Sequence, residues 1–364
     1  MTFHSGASRP VLRSTSRRRL LLPLVCVLLS GIPLRSQQPK IAVETKMVTV
    51  FATVRDKKSQ IVSTLNKDDF ALDEDGRPQT ISYFAREKDL PLTIGLLVDT
   101  SFSQRHVLAE ERSASSTFVD HVLREDMKDQ AFVIHFDHEV ELLQDLTPSR
   151  KKLDAALGLL DTPQAEDANE DGEHHHGGGT MLYDAVYLAS DELMKKQQGR
   201  KALIVLTDGV DRGSKETLPD AIEAAQRADT VVYSVFFKSE EPYGQHEGHG
   251  HGGWGHGGPG GPGSGGPHGP QQQNRERPDG KKILEKVSSE TGGRLFEVSK
   301  KQPVDNIYTQ IELELRSQYI LGYSPDKSQT DADYHKIHLV TKQKDLTVQA
   351  RDGYYAPSAA ATSK

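Results

Sequence analysis

Residues 46–55, KMVTVFATVR, alternate apolar and polar side chains and are rich in β-branched residues. This period of two predicts a strand. Residues 69–72 and 80–84 read as two further strands on either side of a turn at Asp75-Gly76-Arg77-Pro78. So short an all-β opening cannot bury two sheet faces by itself. From Leu92 the pattern changes. Residues 93–98 form a nearly unbroken apolar run, as in a strand covered on both faces. Val107, Leu108, Phe118, Val119, Val122 and Leu123 then recur at helical spacing along one stripe. Strands over 131–136, 140–143, 202–206, 231–237 and 294–298 alternate with helices over 150–160, 182–194, 218–227, 283–289 and 304–315. That alternation argues for an α/β, Rossmann-like unit whose mostly parallel sheet lies between helices.

Beyond residue 318 the β pattern returns in YILGYSP, YHKIHLVTK and LTVQARDGYY. The economical arrangement is one β-sandwich built from 41–88 and 318–357, with the α/β domain of 91–316 inserted between its halves. Two stretches interrupt the inserted domain. Residues 164–179 are acidic, with three histidines and four glycines, and residues 240–280 are dominated by Gly, Pro and His. Neither offers enough apolar surface to offset the entropy of ordering, so both are expected to be disordered insertions.

Residues 1–36 read as a signal peptide. Arg17-Arg18-Arg19 precede an apolar run over 20–29 that Pro23 interrupts, and small residues follow. The run is too short to span a bilayer, and no later stretch is long enough either, so no integral membrane segment is expected in the mature chain. The expected destination is outside the cytoplasm, periplasmic or secreted. Removing this segment takes away six arginines and no acids, which moves the net charge from −7 to −13. An acidic exported protein is a poor partner for nucleic acid. The one cysteine, Cys26, leaves with the segment. Disulfides, thiolate nucleophiles and Cys-based zinc sites are thereby excluded from the remainder.

Candidate chemistry concentrates in three short pieces. Asp99-Thr100-Ser101-Phe102-Ser103 follows the strand ending at Val98, Gly178-Gly179-Thr180 precedes a helix, and Thr207-Asp208-Gly209 follows the strand over 202–206. In open α/β sheets ligands bind outside the carboxyl ends of the strands. Asp99, Ser101, Ser103, Thr180 and Asp208 offer only oxygen, which suits a hard cation: Mg²⁺, or Mn²⁺ or Ca²⁺.

D-x-S-x-S, a distant Thr and a later T-D-G resemble the metal-ion-dependent adhesion site of von Willebrand factor type A domains. The resemblance implies Ser101, Ser103 and Thr180 as direct ligands, with Asp99 and Asp208 bound directly or through water. Phe102 replaces the usual glycine between the serines, and Gln104 stands where methionine is frequent. LNKDDFALDEDGRPQTI, RKALIVLTDGVDRGS, SQYILGYSP and RDGYYAP extend the similarity to the acidobacterial von Willebrand factor A-related family of exported proteins, over about 42–357. What this implies is a non-catalytic adhesion or protein-binding module. Its divalent cation would bridge to a carboxylate on a protein partner.

A second class of function remains open beside it. His174, His175, His176, His246, His249, His251 and His256 crowd the two insertions, and imidazole suits Zn²⁺, Cu²⁺ or Ni²⁺, so transition-metal sequestration is the alternative reading. For a hydrolase there is no G-x-S-x-G, H-E-x-x-H or Walker A sequence. In His135-Phe136-Asp137-His138 the strand period sends the two histidines apart. Asp184 and Asp211 read as structural helpers or solvated charges near the cation loops.

Overall fold

A computed structural model describes residues 47–86, 90–161, 179–238, 279–325 and 334–356, all within the unit spanning Glu44–Lys364. The expected signal peptide and nearly all of both insertions lie outside the described residues. The first segment supplies β1 (Val48–Asp56), β2 (Phe70–Glu74), β3 (Arg77–Gln79) and β4 (Ile81–Ala85). The expected turn at 75–78 is tighter than its composition suggests. Only Asp75 and Gly76 turn, and Arg77-Pro78-Gln79 forms β3 at the edge of its sheet, where a proline interrupts no further ladder.

The α/β unit follows: β5 (Leu92–Asp99), α1 (Leu108–Val122), β6 (Gln130–Phe136), β7 (Val140–Thr147), α2 (Arg150–Leu157), α3 (Leu182–Leu188), β8 (Arg200–Thr207), α4 (Leu218–Arg227), β9 (Val231–Phe236), α5 (Gly280–Thr291), β10 (Leu295–Glu297) and α6 (Val304–Arg316). Its six strands run in the order β10-β9-β8-β5-β6-β7. All are parallel except β7, which returns antiparallel beside β6. Every residue of β5 and β8 is buried. Alternate side chains feed two layers, as the strand period requires. Leu92, Ile94, Leu96 and Val98 pack toward α1, α2 and α6, and Leu97, Leu203 and Val205 toward α3, α4 and α5.

Several element ends differ from expectation, and β7 runs on to Thr147. α2 stops at Leu157 with Gly158 as its C-cap. α3 passes into a π-type turn over Ala189–Leu193. α5 begins at Gly280, inside the stretch expected to be insertion, because the Asp279 carboxylate accepts from Lys282 N and caps it.

The last segment adds β11 (Tyr319–Tyr323), β12 (Tyr334–Thr341), β13 (Leu346–Ala350) and β14 (Gly353–Tyr355). These interleave with the opening strands in two antiparallel sheets, β13-β1-β11-β4 and β14-β12-β2-β3. Val50, Ala52, Phe70, Leu72, Tyr319, Leu321, Ile337 and Leu339 form their shared core. Neither end of the chain completes a sheet without the other.

A buried ion triad ties the two parts together. The Glu314 carboxylate on α6 is 1% exposed and receives Arg55 of β1 at 2.8 Å and Arg294 at 2.7 Å. Burial pushes this carboxyl up from its ordinary value, and the two guanidiniums oppose that shift. Removing the acid strands two partly desolvated cations, so Glu314→Ala should cost about 3–5 kcal/mol. Lys57→Ala, which breaks only an exposed pair with Asp345, should stay within about 0.5 kcal/mol. Urea denaturation followed by circular dichroism compares the two variants.

Candidate metal centre

Strand register brings the acidic loops to one edge. β5 pairs with β6 so that Asp99 faces Phe136, and with β8 so that Val98 faces Leu206. Asp99 and Thr207 therefore finish neighbouring strands at their carboxyl ends. Asp99 is fully buried. Its Oδ1 accepts from Ser101 N at 2.9 Å and its Oδ2 from the Thr207 hydroxyl at 2.5 Å. The Thr207 hydroxyl in turn accepts from Gly209 N. Ser101 precedes a single 3₁₀ turn over Phe102–Gln104, which sets the Ser101 and Ser103 hydroxyls 3.1 Å apart. Gln104 donates to the Ser103 hydroxyl at 3.4 Å. Phe102, in the usual glycine position, points outward at 49% exposed, and the Arg105 guanidinium lies 3.9 Å from its ring centroid.

Asp208 is buried, and its Oδ1 accepts from Val210 N at 3.1 Å. Gly209 has φ +77°, and a Cβ there would meet Gly280 O at 2.3 Å. A glycine is required at that point because the loop lies directly against the start of α5. Thr180 is buried and joins through its backbone. It exchanges hydrogen bonds with Arg212 at 3.1 and 2.8 Å, while Met181 N donates to Asp137 O. Asp99, Ser101 and Ser103 thus form one hydrogen-bonded run with Asp208 in electrostatic reach, and Thr180 sits on the adjoining loop.

Asp184 and Asp211 brace that loop. Asp184 accepts from Lys215 N and Glu216 N, and Asp211 accepts from Tyr183 N and the Ser214 hydroxyl. His135 is held between the Thr100 hydroxyl and Glu141, whereas His138 pairs with Asp137. His174, His175, His176, His246, His249, His251 and His256 lie outside the described residues.

The electrostatics are unusual for a protein interior. Burial pushes the Asp99 carboxyl up to about 7; its bonds to Ser101 and Thr207 oppose this, and the Asp208 charge adds to it. Glu111 on α1 is fully buried, and neither carboxylate oxygen has a hydrogen-bond partner among the described residues. Burial raises it well above the usual carboxylate range, and the neighbouring charges, Asp99, Glu110 and Asp208, push the same way. The Gln104 side-chain oxygen is likewise buried and unpartnered. Sequence reasoning missed Glu111. Its signal was positional: the stripe Val107, Leu108, Ala114, Ser115, Phe118, Val119, Val122 places residue 111 on the apolar face of α1.

These residues fit a divalent cation. The donors are oxygen alone, and buried carboxylates that meet no basic partner among the described residues are stabilised as a group by a positive ion between them. Asp99, Ser101, Ser103, Thr180 and Asp208 would hold it. The ion would supply a positive charge at the carboxyl edge of the sheet.

Residues 94–210 match the family model described as von Willebrand factor type A domain. No curated protein sequence matches the chain. Among solved structures, the chain is similar to a von Willebrand factor type A protein from Catenulispora acidiphila (12% identity, TM-score 0.43, covering 79% of this chain and 73% of that one). It is also similar to an aerotolerance-related membrane protein from Bacteroides fragilis (14% identity, TM-score 0.40, covering 62% and 98%). A third is proximal thread matrix protein 1 from the mussel byssus, solved with zinc in its MIDAS motif (13% identity, TM-score 0.42, covering 68% and 50%). The chain thus spans about half the length of the mussel protein.

Three outcomes are expected. A cation requires the ionised form of Asp99, so Mn²⁺ affinity should fall as pH drops below about 7, approaching tenfold per unit for a single proton. Calorimetric titration between pH 8 and 5.5 measures it. Without metal the sign is opposite to ordinary acid denaturation. The folded state keeps a proton on Asp99 that the unfolded chain loses near 3.8, so this group makes stability decline as pH rises from about 4 to 7. Glu111→Leu should stabilise the metal-free protein by about 1–3 kcal/mol, read from its urea midpoint.

Proposed function

We propose that the chain, which carries a von Willebrand factor type A domain over 94–210, is an exported, non-catalytic protein-interaction module. Its cation, Mg²⁺ or in its place Mn²⁺ or Ca²⁺, is held by Asp99, Ser101, Ser103, Thr180 and Asp208 and completed by an acidic group on a protein partner. One observation carries the reading: the buried Asp99 and Asp208 carboxylates and the Ser101 and Ser103 hydroxyls lie on loops at the carboxyl edge of the parallel sheet, and the charges acting on Asp99 and Glu111 are other carboxylates. A cation whose own positive charge its ligands leave incompletely neutralised attracts an outside anion in a low-dielectric crevice.

The rim suits such a partner. Phe102 and Arg105 present an exposed ring and guanidinium beside Ser101 and Ser103, a combination that packs on a protein surface while attracting its acids. The flanking segments 41–88 and 318–357 close one sandwich that carries the domain of 91–316. Export rests on the basic and apolar pattern of residues 1–36. No helix among the described residues is long and apolar enough to cross a membrane, a statement that does not extend to strands.

The arrangement nearest to catalytic geometry has a structural explanation. Thr100, His135 and Glu141 line up as hydroxyl, imidazole and carboxylate at 3.0 and 3.1 Å. Thr100 is wholly buried, so no substrate reaches its oxygen, and the relay fastens the ends of β5, β6 and β7.

The test is capture of partners from the exported fraction by the full chain, with Mg²⁺, with chelator, and with Ser101→Ala plus Ser103→Ala. The expected partner is retained only in the first arm. Equal retention in all three would overturn the cation bridge.

A further inference from the structure

The sandwich holds a second cluster of chemistry-bearing side chains, in a different sheet from the oxygen-lined loops. Glu74 ends β2, Asp75 turns into β3, and His335 lies on β12, 260 residues beyond Asp75. His335 Nδ1 is 2.9 Å from Asp75 Oδ2 and 3.8 Å from Glu74 Oε1, and one atom from each residue falls within 4.8 Å of the others. Ligands about 2.0–2.2 Å from a tetrahedral Zn²⁺ stand roughly 3.4 Å apart, midway between the two distances here.

Each side chain is also oriented by groups outside the triad. Glu74 Oε2 accepts from Tyr323 OH at 2.6 Å and Tyr354 OH at 3.3 Å, leaving Oε1 on the His335 side. Asp75 Oδ1 accepts from Lys336 N at 2.9 Å, and Asp75 N donates to Lys336 O, so Oδ2 is turned toward the imidazole. The His335 ring stacks on Tyr354 with centroids 5.5 Å apart. Outer partners of this kind are what hold metal ligands in place. Glu74 is buried, His335 partly so and Asp75 open to solvent, which provides an entry path and room for a water ligand.

The geometry points to a zinc-class divalent site at Glu74, Asp75 and His335. One nitrogen and two carboxylate oxygens favour a borderline first-row ion over Mg²⁺. Binding displaces the hydrogen shared between His335 Nδ1 and Asp75 Oδ2, which passes to solvent as a proton, and links the opening β-hairpin to the closing strand. The site stands independently of the proposed interaction function, because it shares no residue with the oxygen-lined loops.

The experiment uses the full chain and Zn²⁺ alone. A competing chelator of known affinity counts tightly bound ions, and a zinc-edge anomalous map locates them in crystals. His335→Ala and Asp75→Asn should each lose one zinc per chain, while Ser101→Ala plus Ser103→Ala keeps it. Tyr323→Phe should weaken that zinc about 10–100-fold without abolishing it. Asp75→Asn retains the acceptor for Lys336 N, so its loss of zinc is read in a folded protein, which circular dichroism verifies. Unchanged stoichiometry in both triad variants, or no anomalous peak between these side chains, would mean an ordinary ion pair and overturn the proposal.

Discussion

A carboxylate removed from water keeps its charge only beside something positive, and Asp99 and Glu111 are removed from water beside other carboxylates. The organisation of the α/β unit follows from where those acids sit. The continuous burial of β5 and β8 holds the strand ends rigidly, and parallel register puts Asp99 next to Thr207. The Asp208 loop reaches the same place because Gly209 lets it lie against the first turn of α5. Hydroxyls and backbone N–H groups satisfy part of Asp99. In the proposed reading, the negative charge left over would draw a cation to this edge of the sheet.

The sandwich imposes a different constraint. β1 is paired on both sides by strands from the end of the chain, and β2 pairs with β12. Both sheets are therefore assembled from contacts of very long sequence separation, whose loop-closure entropy must be met before they contribute. The inserted α/β unit, richer in contacts between successive elements, brings the two ends of the chain together. The Arg55–Glu314–Arg294 triad then fixes the sandwich to α6 at the point where the chain re-enters it.

Two candidate chemistries of cation recognition thus lie in different sheets of the fold. One set of donors is hard, oxygen-only and mounted on loops at a sheet edge. The other includes an imidazole and is mounted on strands, with tyrosines behind it. The difference matters because rigid strands preserve a ligand geometry, whereas a loop crest can adjust when a partner contributes a donor.

Much of this was legible in one dimension. Period-two and period-3.6 patterns are local properties of the chain, so the order of strands and helices follows from them, as does the return of β character after residue 318. Asp99, Ser101, Ser103 and Asp208 were visible because each lies within a few residues of a strand end that the apolar pattern marks. Local pattern could not set element ends, such as the capping of α5 by Asp279 or the narrowing of the turn to Asp75 and Gly76. Glu111 looked like one charge among many in LAEERS, and it becomes exceptional only when α1 packs its face against the strand ends and α6. Glu74, Asp75 and His335 share no local pattern at all. They meet because antiparallel register joins two strands that the chain separates by most of its length, and distance through space is what tertiary structure alone decides.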